Sequence, residues 1–364
     1  MPLQKGKEYT MKKVFKALLI ILIIVVVAVG AGLGYLSWAE YRPEAVEELS
    51  ISPDAAGKAL PLNQSLHVLS WNIGYGGLGA ASDFFMDGGK SVRAADQFTV
   101  SEYMGGIRST IYNAEDTSDL IMLQEVDLDS TRSFGMDERA YLAGDDGVEA
   151  LNFAVSFVPY PMPPIGKVHS GIFTTTQDYD IASAQRIALP CPFSWPVRTV
   201  NLKRCLLASW LPIEGTDKQL CLVNLHLEAY DDGEGKIAQT KQLRDFIESE
   251  YKKGNYVIAG GDFNQVFPGT LDVYPNTHTD LWSVGALSED LLPEGFQFAF
   301  DSAVPTCRLL NQPYDPSDTV NTQYYVIDGF IVSPNVKIDS VQTVDAGFEN
   351  SDHNPVRLGV TLVG

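Results

Sequence analysis

Positive charge is scarce in this chain, and its scarcity is uneven. Lysine and arginine together number 26 against 46 aspartates and glutamates, a formal net charge of −20. Five of the basic residues (Lys5, Lys7, Lys12, Lys13 and Lys16) precede position 37, where Glu8 is the single acid, so the remainder carries about −24. Such a surface repels polyanions at long range and gains little from counterion release, which argues against tight, non-specific DNA binding. A phosphate substrate is still compatible, because a bound cation reverses the local sign.

Cysteine is nearly as scarce. Cys191, Cys205, Cys221 and Cys307 have no C-x-x-C spacing, which excludes a zinc ribbon or finger. Cys205 and Cys221 lie in apolar runs and read as small buried hydrophobes, with one disulfide as the alternative. Fixed-period repeats and low-complexity tracts are absent. The glycine-rich GYGGLG at 74–79 lacks the lysine and the strand–loop–helix setting of a phosphate loop and reads as an insertion.

Against this background one hydrophobic run stands out. Ala17 to Leu36 is 20 residues without a charge, about 30 Å as a helix, which matches a bilayer core. Lys12, Lys13 and Lys16 precede it and Trp38 and Tyr41 follow. The positive-inside rule then puts residues 1–16 in the cytoplasm, the transmembrane helix or signal anchor at 17–36, and the rest outside. A cleaved signal peptide is the alternative, but no clean A-x-A site follows. Residues 37–64, polar and punctuated by proline, are expected to be a linker, with one folded domain at 65–364.

The expected domain is a series of short apolar runs at 66–72, 120–126, 152–158, 171–176, 205–213, 220–227, 256–264, 324–333 and 356–363, all with strand character. Helical spacing relates Val100, Met104, Ile107 and Ile111, and again Leu243, Phe246, Ile247 and Tyr251. Many strands with few helices predict an α/β domain of two packed sheets with helices outside.

Six of these segments end in, or just precede, an uncommon polar group: Asn72, Glu125, His226, Asp262 with Asn264, Asp328, and Asp352 with His353. A polar group at the end of a buried strand costs free energy unless it is paired or used. Each alone is weak. As an ordered set, SWNIG, LQEVD, NLHLEA, GGDFNQ, YVIDGFIVS and SDHNPV resemble the signatures of the endonuclease/exonuclease/phosphatase superfamily, the fold of pancreatic deoxyribonuclease. The resemblance spans residues 70 to 356.

That resemblance implies a four-layered sandwich of two mixed β-sheets flanked by helices, here preceded by the single transmembrane helix. It also implies a divalent-metal-dependent phosphoesterase. Glu125 would bind Mg2+, with Mn2+ or Ca2+ as alternatives, and Asn72 and Asp352 would lie at the metal. Asp262 would orient and deprotonate the attacking water, and Asn264 would donate to the phosphoryl oxygens from the same side of an extended segment. His353, oriented by Asp328, and His226 would contact the phosphate. Asp127 would lie behind Glu125, and His169 would line the pocket or simply begin a strand. His67 and His278 are expected to be fillers.

The substrate is a phosphate ester, whether lipid, small molecule or nucleic acid. An extracellular nuclease is the rival enzyme reading, and an inactive surface-anchored binding module the rival from another class. No specific protein partner is expected. Residues 74–106 and 190–204 read as embellishments near the site, the second offering Phe193, Trp195, Arg198, Lys203 and Arg204 to a substrate or forming a packed proline-rich loop.

Overall fold

A computed structural model describes all residues except 1, 2, 53–56, 114–116, 145, 232, 283 and 319, with side chains described from residue 11 onward. The chain opens with helix α1 (Leu3–Trp38). Its stretch Met11–Trp38 is long and apolar enough to cross a membrane, and its most apolar part is left unburied by the rest of the molecule.

The strands are β1 (Val46–Glu48), β2 (Ser65–Asn72), β3 (Leu120–Asp127), β4 (Val148–Val158), β5 (Gly166–Thr176), β6 (Ser183–Ala188), β7 (Cys205–Pro212), β8 (Gln219–His226) and β9 (Tyr256–Asp262). They continue as β10 (Gln265–Val266), β11 (Gly285–Ala286), β12 (Gln297–Ala299), β13 (Cys307–Arg308), β14 (Tyr324–Tyr325), β15 (Asp328–Val332), β16 (Val336–Thr343) and β17 (Val356–Leu362). Helices α2 (Gln97–Ile111), α3 (Glu138–Ala143) and α4 (Glu234–Lys252) lie among them.

Two mixed sheets result, ordered β16-β17-β2-β3-β5-β4 and β1-β6-β7-β8-β9-β15-β12. Each contains one parallel pair, β2/β3 or β8/β9, flanked by antiparallel neighbours. Alternation along a strand sends successive side chains to opposite faces. Leu66, Val68, Leu120 and Met122 therefore meet Leu207, Leu222, Ile258 and Phe330 between the sheets. Leu69, Trp71, Ile121 and Leu123 face outward under Val100, Met104 and Ile107 of α2. On the other side Ala208, Val223, Val257 and Ala259 lie under Leu243 and Ile247 of α4. The two packed sheets with outer helices expected from the strand pattern, and the four-layered sandwich implied by the resemblance, are thus observed.

A buried polar clamp joins the layers. The Gln124 amide donates to Asn224 Oδ1 at 2.8 Å, and the Asn224 amide donates to the carbonyls of Leu123 (3.1 Å) and Phe173 (2.9 Å). Removing one partner would leave the other unsatisfied in a dry interior, at a cost of about 1–3 kcal/mol.

The segment expected to be a linker is instead laid along the domain. Its β1 pairs with β6, Ser52 bridges Gly147, Lys58 bridges Tyr179, and Leu60 bridges Ile213 and is fully buried in the inter-sheet core. Proline and polarity concealed these contacts, because only a few short apolar anchors (Leu49, Ile51, Leu60, Leu62) carry them. Two further strands, β6 and β16, have half-exposed, mixed sequences and gave no periodic signal. The run at 324–333 divides into β14 and β15. The cysteines are free, with Cys205, Cys221 and Cys307 buried and Cys191 exposed.

Candidate active site

Both parallel pairs end at the same rim, and this places the polar residues. In the first sheet Asn72 is in register with Gln124, and the next residue is Glu125. In the second, His226 is in register with Asp262, which is in register with Asp328. Asp352 and His353 lie just before β17, beside the end of β2. The Trp71 indole donates to the His353 carbonyl (2.8 Å) and the Ser351 hydroxyl to the Asn72 carbonyl (2.8 Å), fixing that approach.

Two backbone devices aim the side chains. Between Leu123 and Val126 the β3/β5 register shifts, so Gln124 and Glu125 share one partner position, and Glu125 has φ +54°. A bulge of this kind re-aims a side chain at a strand end, and its backbone strain marks a functional position. Gly261 has φ +144°, and a Cβ there would stand 1.9 Å from the Leu225 carbonyl oxygen, so only glycine lets β9 bring Asp262 against His226.

Asp262 is the centre of the cluster. Its Oδ2 accepts from the Asn72 amide at 3.0 Å and lies 3.3 Å from His226 Nε2 and 3.8 Å from His353 Nε2. Its Oδ1 accepts from the Asn264 backbone N–H at 2.8 Å. The same Asn72 amide donates to Glu125 Oε1 at 3.2 Å, while Asn72 Oδ1 accepts from Gly74 N at 3.1 Å, which settles the orientation of that amide. His353 Nδ1 is 2.8 Å from Asp328 Oδ2.

Electrostatics separate the two histidines. Burial, then the neighbouring Arg204, His353 and Arg132, push His226 well below its ordinary value, keeping it neutral. Burial opposes a charge on His353 as well, but Asp328, Cys307 and Asp352 outweigh it and hold the imidazolium well above the ordinary value. Burial and the nearby Asp328 carry the Asp262 carboxyl up to about 7, against the pull of His353. Burial likewise raises Asp352 to about 7, with Glu125 adding to the rise and His353 opposing it.

All the expected residues except Asn72 and Asp328 line one cavity of about 150 Å3, and those two stand immediately behind it. Asn264 reaches the cavity by a different route from the one expected. Its φ of +50° is left-handed, not extended, and one amide N–H is spent on the Leu227 carbonyl at 2.9 Å. Asp127 is turned away by the bulge into a bidentate pair with Arg132 (2.8 and 3.0 Å). The Arg132 guanidinium lies 3.8 Å over the Tyr75 ring, and both line the cavity. His169 does not line it, although the adjacent Ser170 and Gly171 do. His67 is exposed beside Asp119 and His278 sits against the Val320 carbonyl.

Of the other cavity residues, Arg204 comes from the 190–204 segment and Tyr75 and Asp87 from the 74–106 insertion, both expected near the site, whereas Tyr230 carried no sequence signal. Arg204 is 5% exposed and its Nε and one terminal nitrogen have no hydrogen-bond partner, Glu228 standing 3.9 Å away. Tyr230 donates to Asp87 Oδ1 at 2.8 Å across the cavity wall. The insertion after β2 supplies Tyr75, Leu78, Phe84 and Met86, giving that wall an apolar side.

The donor set suits a hard divalent ion. Ligand atoms of Cys307, Asp352 and His353 lie within 4.8 Å of one another, as do those of Asp262, Asp328 and His353. His353 Nδ1 is already committed to Asp328, and burial pushes the Cys307 thiol up to about 12, so it stays protonated and is a poor ligand. What remains is oxygen: Asp352 and Glu125, whose mutual repulsion a cation would relieve.

Two mixed sheets with a buried carboxylate–imidazole cluster at the ends of their parallel pairs define a phosphoesterase- or nuclease-like architecture. The chain belongs to the endonuclease/exonuclease/phosphatase family, whose model matches residues 69–353. No curated protein matches the sequence. Among solved structures, an endonuclease/exonuclease/phosphatase from Beutenbergia cavernae is 18% identical, with 83% of this chain and 72% of that one covered, at TM-score 0.52. ANGEL2, a 2',3'-cyclic phosphatase solved with adenosine-2',3'-vanadate, is 15% identical over 81% of this chain and 95% of its own, at TM-score 0.52. A functionally unknown conserved protein from Enterococcus faecalis is 14% identical over 81% and 99%, at TM-score 0.52. These likenesses establish the fold.

Proposed function

We propose that this chain is a membrane-anchored, divalent-metal-dependent hydrolase of phosphoesters, acting outside the membrane by in-line attack of water on phosphorus. The observation that carries the reading is Asp262: a buried carboxylate held by Asn72 between two histidines of opposite charge preference, facing a polar cavity. Glu125 and Asp352 would hold the cation, with Asn72 positioning the Glu125 carboxylate through its amide N–H, Mg2+ being the ion whose oxygen preference fits best, with Mn2+ or Ca2+ as alternatives. When bound, it stabilises charge developing on the phosphoryl and leaving oxygens.

The protein's own groups do the rest. Asp262 orients the water and takes its proton, a task suited to a carboxyl raised toward neutrality. His353, kept charged and in one orientation by Asp328, donates to a non-bridging oxygen, and His226 donates from the opposite side. Asn264 has one amide N–H left after binding Leu227 and offers it to the phosphoryl group.

The N-terminal lysines and the apolar helix support an inside N-terminus and an outside domain. The acidic surface and the partly apolar cavity wall favour a lipid or small phosphoester over polymeric DNA or RNA. The test is turnover by the full chain in detergent with Mg2+, against sphingomyelin, phosphoinositides, DNA, RNA and a generic phosphodiester, with Asp262→Asn and His353→Ala alongside. Full activity in either variant, or turnover of none of these substrates, would refute the assignment.

A further inference from the structure

The last turn of α1 is not free of the domain. Leu36 packs into an apolar cluster with Phe153, Val155 and Val158 of β4, Val168 of β5, and Val200 and Leu202. One residue on, the Ser37 hydroxyl accepts from the Trp195 indole at 2.9 Å. Glu40, its side chain almost fully buried, then pairs with Arg42 (3.1 Å), Arg198 (3.3 Å) and Lys203 (3.3 Å). Three independent contacts in five residues hold the domain at one attitude to the helix.

That attitude fixes a depth. Ser37 belongs to the stretch that can cross a bilayer, which ends at Trp38, so Trp195 must lie at the level of the membrane interface. Around it the domain leaves large apolar side chains open. Trp195 is 52% exposed and Val197 50%; on the β4–β5 turn, which joins the same cluster through Val158 and Ile165, Met162 is 85% exposed, with Phe157 and Tyr160 at 43% and 40%. Aromatic and aliphatic side chains gathered at headgroup depth are what an interfacial membrane contact requires.

We propose that this face, formed by the β4–β5 turn and the loop carrying Trp195 and Val197, is seated on the bilayer. The proposal rests on the membrane-anchored reading given above. It also bears on access to the site, because the loop runs on from Trp195 to Asn201, Leu202 and Arg204 in the cavity wall. A phosphoester carried by a membrane lipid would meet the cavity from the side on which it already resides.

The test uses the full chain reconstituted in phosphatidylcholine bilayers with and without brominated acyl chains. The emission of Trp195 is read as the difference between the wild type and Trp195→Phe, and that of Trp38 from Trp38→Phe. A second probe, Met162→Trp in the Trp195→Phe background, does not depend on the bond to Ser37. Trp195 and the residue-162 probe are both expected to lose most of their emission to brominated lipid, while Trp210 and Trp282 keep theirs. Quenching of Trp38 with either face probe unquenched would overturn the seating and leave the anchor intact, the face then belonging to a second copy or another protein. Absence of quenching at Trp38 as well would remove the anchor and the seating together. Neither readout depends on turnover, so both stand apart from the hydrolase assignment.

Discussion

The two sheets are built alike and equipped differently. Each has a parallel pair, β2/β3 or β8/β9, bracketed by antiparallel strands, and each delivers polar residues to the shared rim at the end of that pair. The first sheet brings Glu125, with Asp352 at the approach to its β17, as oxygen donors suited to a cation, and Asn72, whose amide N–H groups go to Glu125 and Asp262. The second brings His226, Asp262 and Asp328, a hydrogen-bonding relay suited to water and proton. His353 crosses between them, arriving on the first sheet's side and leaning on the second sheet's Asp328. Like architecture thus supplies the rim, and the residue at each strand end divides the labour.

Breaking the second sheet's share should have the largest effect. Asp262→Asn keeps the shape but cannot take a proton, and kcat should fall about 10²–10⁴-fold at every cation concentration. Steady-state kinetics with a cation titration check this; recovery of activity at high Mg2+ would contradict it. Breaking the first sheet's share should look different. Glu125→Gln should raise the Mg2+ concentration needed for half-maximal activity by on the order of tenfold or more, equivalent to about 1.4 kcal/mol. If instead kcat falls with the cation requirement unchanged, the division between the sheets is wrong.

The link between the sheets comes next. Gln124→Ala leaves Asn224 Oδ1 without its donor in the core and should cost about 1–3 kcal/mol of stability. Denaturant melts should show a lower midpoint with an unchanged slope, since the native compactness is kept.

A pH dependence completes the set. Asp262 and Asp352 are raised to about 7 in the folded, metal-free protein, whereas in the unfolded chain aspartates titrate near about 4. As pH climbs from about 4 to 7 the unfolded chain releases these protons and the folded one retains them. Stability should therefore fall across that window and level off above it. Melts in EDTA should show a steeper fall for the wild type than for Asp352→Asn, and Mg2+ at pH 8 should recover much of the loss. Equal slopes would show that Asp352 is not raised.

The central strands and the rim residues were legible in the sequence because buried strands are apolar on both faces, so a polar residue at their end stands out against the run. Leu243 and Ile247 announced α4 for the related reason that a 3.6-residue period has few other causes. The cavity's other side was legible only in outline: residues 74–106 and 190–204 were expected near the site, but the meeting of Arg204 and Asp87 with Tyr230 was not, because no local spacing encodes a contact between segments far apart in the chain. The same limit hid β1 and the bridges made by Ser52, Lys58 and Leu60, where single anchors such as Leu60 replace a pattern. It also hid the left-handed backbone at Glu125 and Asn264, which reversed the strand arithmetic for Asp127.

The bond from Trp71 to the His353 carbonyl joins residues 282 positions apart, and β17 pairs with β2 across a similar separation. Closing so long a loop carries an entropic cost that is met only when the final strand docks. The rim is therefore assembled from contacts distant in sequence, the imidazole of His353 reaching Asn72 across 281 positions.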